Sequence, residues 1–435
     1  MLQQAVSRRV ISSIDSPVIN PHWVKSRPIC NTTSFVSAYT KLPYRGAFQM
    51  SHATSAPHVV DPAPSPVAGP LSGQHTAQDF GNVICMEHVN LEVPDLEVAR
   101  MFYEEGLGLT IDPSKTGAQR GGSHVMWYNV GRQQLHICKG PHAQRLPQGG
   151  AIGLVLPDVG GVAHRLEGLQ SQLGDIAVTR LSHHTLEVKD PHGVTFIIHD
   201  VSAPPGAQED AQQPVCDPHI AYLLLPCFPG TAVHIARFYA DRLGALVRVS
   251  GGRKRSDGSK GLIRGEVLLG LPGTRLVFTE QPGLPAWSEQ AAAALYDGWH
   301  VCFYIADFSG TYSRCQPLLF NSHPYRDKVH SFDDALRNRQ FRFQDIRATP
   351  LPAHTVSAAG PSNDIPAAQP TPDDPGPWLR QVPEHLVEQL PACAGAKEQP
   401  AGSAPLLYRI SHEVRSLAHP FFLRPLYNRT AGGFL

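Results

Sequence analysis

The feature that most constrains this chain is a strand-helix-strand pattern that comes round four times. It first begins at Val83, where VICMEHVNLEVP has the β-branched and apolar content of a strand and stops at Pro94. Asp95 can cap the helix that follows, in which Leu96, Ala99, Phe102 and Tyr103 recur at helical spacing before Gly106 and Gly108 end it. A short strand at Leu109–Ile111, then HVMWYNV and QQLHICK joined through Gly131-Arg132, complete a β-α-β-β-β unit. The same order recurs in GAIGLVLPD, a helix from Asp158, and strands at Ile176–Arg180, Thr185–Lys189 and Val194–His199, with a turn at Asp190-Pro191-His192-Gly193. A third unit is HIAYLLLP, TAVHIARFYADRLG and GEVLLGLPGTRLVFTE. Its FYADRLG matches FYEEGLG of the first, a spacing that turns both aromatics toward a sheet and ends the helix on glycine.

The fourth unit opens with WHVCFYIADF, and Asp307 again leads into a helical run. Its later strand FRFQDI is separated from LLYRISHEV by a Pro/Ala-rich stretch at 348–405, with a short helix expected near Glu384–Leu390. The two strands are expected to form a hairpin with a greatly lengthened loop, because closure entropy grows slowly with loop length. Taking units in chain order gives a first domain at 83–202, a linker at 203–215 and a second domain at 216–429.

Composition narrows the functional classes. Lys+Arg and Asp+Glu both total 37, which gives no reason to expect nucleic acid or an anionic membrane as partner. No apolar run of about 18 residues argues for a membrane span. Eight scattered cysteines without a C-x-x-C pair suit reduced, buried thiols. Residues 1–75 differ: Arg8, Arg9, Lys25, Arg27, Lys41 and Arg45 sit among hydroxyl residues, and Asp15 is the sole acid before Asp61. Such a start reads as an organelle transit peptide followed by a linker, with a chloroplast favoured over a mitochondrion. The alternative is a tail with no address.

Repeat order, F-Y-x-x-x-L-G, the D-P-x-G turn, and the openings H-V-N-L-E-V-P-D and W-H-V-C-F-Y-I-A-D-F together resemble the vicinal-oxygen-chelate superfamily, the glyoxalase, bleomycin-resistance and extradiol-dioxygenase group. The resemblance covers about Val83–Arg429, less the insertion. It implies an α+β fold of four βαβββ units in two domains with curved mixed sheets. It also implies a cleft in which first and last strands hold a divalent metal, Fe(II) or Mn(II) favoured over Zn(II).

At matching positions the second domain has His219 and His300, with Glu413 as candidate third ligand and Arg409 and Ser411 on its face. The first domain offers His88 and His136, but Ala151 and Ile197 stand where further ligands are expected, so its cleft is assigned to packing and shape. Arg326, His330 and Arg415 are candidate substrate contacts, and Arg253-Lys254-Arg255 with Lys260 and Arg264 form a basic loop. The function implied is a metal-dependent enzyme, dioxygenase- or glyoxalase-like, acting on a small oxygen-chelating substrate and able to form a homodimer. The glutamates that glyoxalase I chains place at the metal have no counterpart here. The alternatives are a non-catalytic small-molecule binder of the same fold and an organellar assembly protein.

Overall fold

The computed structural model describes residues 81–113, 124–174, 176–203, 216–251, 262–321, 328–349, 378–387, 404–429 and 433–434. The expected transit peptide, Arg326, the basic residues 253–260 and most of 348–405 lie outside them.

Three units form as the pattern predicts, and the fourth has three strands among the described residues. The first has β1 (Val83–Val93), α1 (Leu96–Arg100, running on as a π-turn over Met101–Gly106), β2 (Thr110–Ile111), β3 (Val125–Val130) and β4 (Gln133–Lys139). The second has β5 (Ala151–Leu156), α2 (Val159–Leu173), β6 (Ala177–Ser182), β7 (Thr185–Lys189) and β8 (Thr195–Asp200). The third has β9 (His219–Cys227), α3 (Ala232–Leu243), β10 (Val247–Gly251), β11 (Ile263–Leu268) and β12 (Arg275–Glu280). After α4 (Glu289–Ala294), the fourth has β13 (His300–Ile305), α5 (Phe308–Cys315), α6 (Phe332–Asn338), β14 (Gln340–Arg347), α7 (Glu384–Val387) and β15 (Leu406–Ser416). The recurrent aspartate is a cap in three units: Asp95 accepts from the amides of Glu97 and Val98, Asp158 from Gly161, and Asp307 from Gly310.

The units do not pair in chain order. One seven-stranded sheet runs β14-β15-β13-β1-β4-β3-β2 and combines the fourth unit with the first. An eight-stranded sheet runs β10-β11-β12-β9-β5-β8-β7-β6 and combines the third with the second. The joints are antiparallel, β1 on β13 and β5 on β9. The division at 203–215 therefore does not separate the sheets. The expected long-looped hairpin does form, with β14 antiparallel to β15.

Period-two alternation gives each sheet two unlike faces. In the first, Val89, Leu91, Val301, Phe303, Ile137, Ile410 and Val414 are 0–1% exposed and belong to the main core. Each such side chain contributes about 1.5–3 kcal/mol of burial. The opposite face carries His88, Asn90, His136, His300, Glu413 and Arg415, all buried as well. Polar groups on that scale persist away from water only when they partner one another.

Candidate metal centre

The buried polar face is organised around the β1–β13 joint. Residue pairs His88↔Cys302 and Asn90↔His300 set two imidazoles diagonally across it, and β15 lies parallel to β13 with Glu413 beside Cys302. The Nε2 atoms of His88 and His300 are 3.2 Å apart, and His300 Nε2 lies 3.7 Å from a Glu413 carboxylate oxygen. The donor atoms of His88, His300 and Glu413 all fall within 4.8 Å of one another. Ligands about 2.1 Å from a shared ion stand roughly 3.0–3.4 Å apart, so the imidazole pair fits that geometry. The chemistry of the donor set, two imidazoles and a carboxylate, fits a divalent cation with positions left open.

A β-bulge supplies the next shell. Between Met86 and His88 the strand gains one residue on β13, and the extra residue is Glu87. Simple alternation would turn Glu87 toward the helices. Instead its carboxylate lies 3.5 Å from His88 Nδ1, accepts from Cys302 Sγ and pairs with Arg415. A carboxylate at Nδ1 favours the tautomer whose Nε2 lone pair points at the centre.

Glu413 is held from both sides. Arg415 donates through Nε (2.6 Å) and NH2 (2.5 Å) to one oxygen, and Arg342 of β14 pairs with the other. Burial pushes both carboxyls upward, but Arg342 and Arg415 hold Glu413 well below the usual range, and His88 with Arg415 holds Glu87 below it. Burial raises the Cys302 thiol far above its ordinary value, so it stays protonated. Two carboxylates thus balance two guanidiniums, and a bound divalent ion would give the cluster a surplus of positive charge.

The aromatic wall is a stack. Trp127 lies on His136 at 4.2 Å and His136 on His88 at 3.8 Å, while Phe421 meets Trp127 edge-on. His136 turns its Nε2 to Gln134 Oε1, 3.0 Å away, and stands beside the triad as packing. The chain beyond β15 crosses this face: Phe422 meets Tyr304, and Arg424 pairs with Asp112 at 2.8 Å. Beneath it lies a cavity of about 480 Å³, lined by Met86, Glu87, Gln134, Tyr304, Phe421 and Leu423 among others.

His300 and Glu413 come together, but their partner is His88 from the first unit. His219 starts β9 in the other sheet, where its Nδ1 lies 2.8 Å from Asp217 O, and pairing of the sheets separates it from His300. The pairing of His219 with His300 is corrected accordingly. The first unit's strands are likewise part of the site, not merely its packing. Arg415 is bound into the carboxylate network rather than exposed to ligand, and His330 is exposed beside Asn321. Glu87 was not among the candidates, and Arg342 was not assigned to the metal cluster. Arg342 had a signal, a charged residue between Phe341 and Phe343 in strand alternation, whereas the bulge conceals Glu87.

No sequence-family profile matches the chain, and no curated protein matches it. Solved structures do. Glyoxalase I from Zea mays is 14% identical with a TM-score of 0.38, covering 61% of this chain and 89% of that one. A candidate dioxygenase from Bacillus subtilis is 11% identical with a TM-score of 0.38, covering 78% and 87%. A genomically encoded fosfomycin resistance protein from Listeria monocytogenes is 15% identical with a TM-score of 0.20, covering 26% and 87%. These likenesses say nothing about activity. Three βαβββ units and a fourth with three strands, in two mixed sheets of seven and eight strands, give the chain the fold of the vicinal-oxygen-chelate superfamily.

Proposed function

We propose that this protein is a divalent-metal-dependent enzyme acting on a small substrate that chelates through adjacent oxygens. The observation that carries the reading is the buried convergence of His88 and His300, Nε2 to Nε2 at 3.2 Å, on the Glu413 carboxylate. The His/His/carboxylate set favours Fe(II) or Mn(II) over Zn(II). When bound, the ion would supply Lewis-acid polarisation of the chelating oxygens. The residues do the remainder. Glu87 orients His88, Arg342 and Arg415 keep Glu413 ionised, and Trp127 with Phe421 shields the face from water. The charge balance of the cluster suits a substrate that binds as an anion, because only the metal-loaded site is cationic. The cavity bordered by Glu87 and Tyr304 is of the size that takes small ligands.

Metal analysis of the untagged full chain tests this. His88→Ala and His300→Ala should each lose stoichiometric metal, while His219→Ala should retain it. Metal retained through both of the first two substitutions would sink the assignment. A second reading, a metal-free binder of small molecules, is favoured by the arginines that already occupy Glu413. It predicts no metal in the wild type and ligand binding in the cavity.

Among the described residues no helix is long and apolar enough to cross a membrane. We further propose that residues 1–75 carry an organelle address, a chloroplast first. A reporter fused to them that stays in the cytosol would reject this. Sedimentation would decide the proposed homodimer.

A further inference from the structure

The second sheet has a polar face too, and its chemistry is different. On β10, β11 and β12, three arginines converge on one buried carboxylate. Glu266 is 2% exposed. Its oxygens lie 2.6 Å from Arg248 NH2, 2.8 Å from Arg264 Nε and 3.5 Å from Arg275 NH1. Strand register places all four on one face, since Arg248 stands opposite Glu266 and Arg275 opposite Leu268. Among the described residues no other acid lies within ion-pair distance of these arginines.

One carboxylate cannot neutralise three guanidiniums. The surplus is held where it is costly: the side chains of Arg248 and Arg275 are 12% and 19% exposed. Arg248 Nε is buried without a hydrogen-bond partner among the described residues, and its guanidinium lies over Trp378 at 4.6 Å. The neighbourhood reports the same imbalance. Burial lowers Arg275 below the ordinary arginine range, and Arg248 and Arg264 add repulsion. Burial, then Arg275, brings His199 down to about 4, so that imidazole is neutral and offers no further charge.

Beside the arginines, Tyr222 pairs in register with Arg275 and lies 2.9 Å through its hydroxyl from His199 Nε2. Its ring crosses β5 where Gly153 leaves room, since a Cβ there would stand 2.5 Å from the ring. His199, Tyr222 and Arg264 are partly or fully exposed, so the face is open to a solute.

We propose that this face binds a small oxyanion, the carboxylate or phosphate group of a ligand, between Arg248, Arg264 and Arg275, with Glu266 as the resident counterion. Planar guanidiniums in a partly buried setting match such groups in a bidentate manner. The site is separate from the His88 cluster and does not rest on the function proposed for it.

The test is titration calorimetry on the full chain at constant ionic strength, with inorganic phosphate in one arm and malonate in the other. Saturable binding of either that persists in His88→Ala supports the site, and the arm that binds names the source. Arg248→Met/Arg275→Met should weaken binding by at least about tenfold, and Glu266→Gln, which removes the competing charge, should tighten it by about tenfold. Glu266→Gln keeps the side-chain shape and serves if the double variant does not fold. His88→Ala should bind as the wild type does. No saturable binding in either arm, no tightening in Glu266→Gln, or loss of binding in His88→Ala would each overturn the proposal.

Discussion

Glu413→Gln should destabilise the metal-free protein, and a second substitution should restore part of what the first removes. In the wild type, Glu413 and Glu87 balance Arg342 and Arg415, whose side chains are 8% and 10% exposed. Glutamine keeps the volume and one acceptor but leaves two buried guanidiniums facing one carboxylate. Removing one partner of a buried ion pair costs about 3–5 kcal/mol, and the lower end applies because Glu87 still reaches Arg415. Unfolding entropy of about 2.1 cal/mol/K per residue gives roughly 0.6 kcal/mol/K for an ordered body of about 300 residues, so Tm should fall by about 5 °C.

Arg342→Met added to Glu413→Gln leaves Glu87 facing Arg415 alone and fills the space with an apolar chain. It should recover about 2 kcal/mol, or roughly 3 °C, although Arg342→Met alone is destabilising. The assay is calorimetric unfolding of the four proteins in chelator at neutral pH. Because the cluster is buried, added salt should change the pattern little. A double variant less stable than Glu413→Gln, with the two losses simply adding, would refute the charge-balance account.

Other outcomes follow from particular contacts. Asp190 accepts from the amides of His192 and Val194 and from Tyr103, yet burial raises its carboxyl from 3.8 to about 6. The folded state therefore keeps a proton that the unfolded chain has lost, and wild-type stability should fall as pH rises from about 4 to 6. Asp190→Asn should remove that fall in urea unfolding across this range, and an unchanged slope would reject it. Gly131 has φ +62° in the β3–β4 hairpin, and a Cβ there would stand 1.8 Å from Pro218 O, where the first unit abuts the start of β9. Gly131→Ala should cost about 3 kcal/mol, since neither backbone can yield cheaply. A urea midpoint equal to the wild type would contradict that contact.

The sequence by itself determined the units. Alternating strands, aspartate caps at Asp95, Asp158 and Asp307, and glycine stops are local signals, each written within a few residues of the structure it specifies. The resemblance to the superfamily also marked His300 and Glu413, which stand at its first-strand and last-strand ligand positions. Only the tertiary structure decided which units share a sheet. Strand pairing is non-local, and any of several unit pairs could bury the same apolar faces. Joining β1 to β13 exchanged His219 for His88 in the cluster. The bulge at Glu87 is likewise a property of two strands in register, and no single-strand pattern contains it. The fold was legible because its repeats are local, whereas the site is made by a contact across 212 residues of chain.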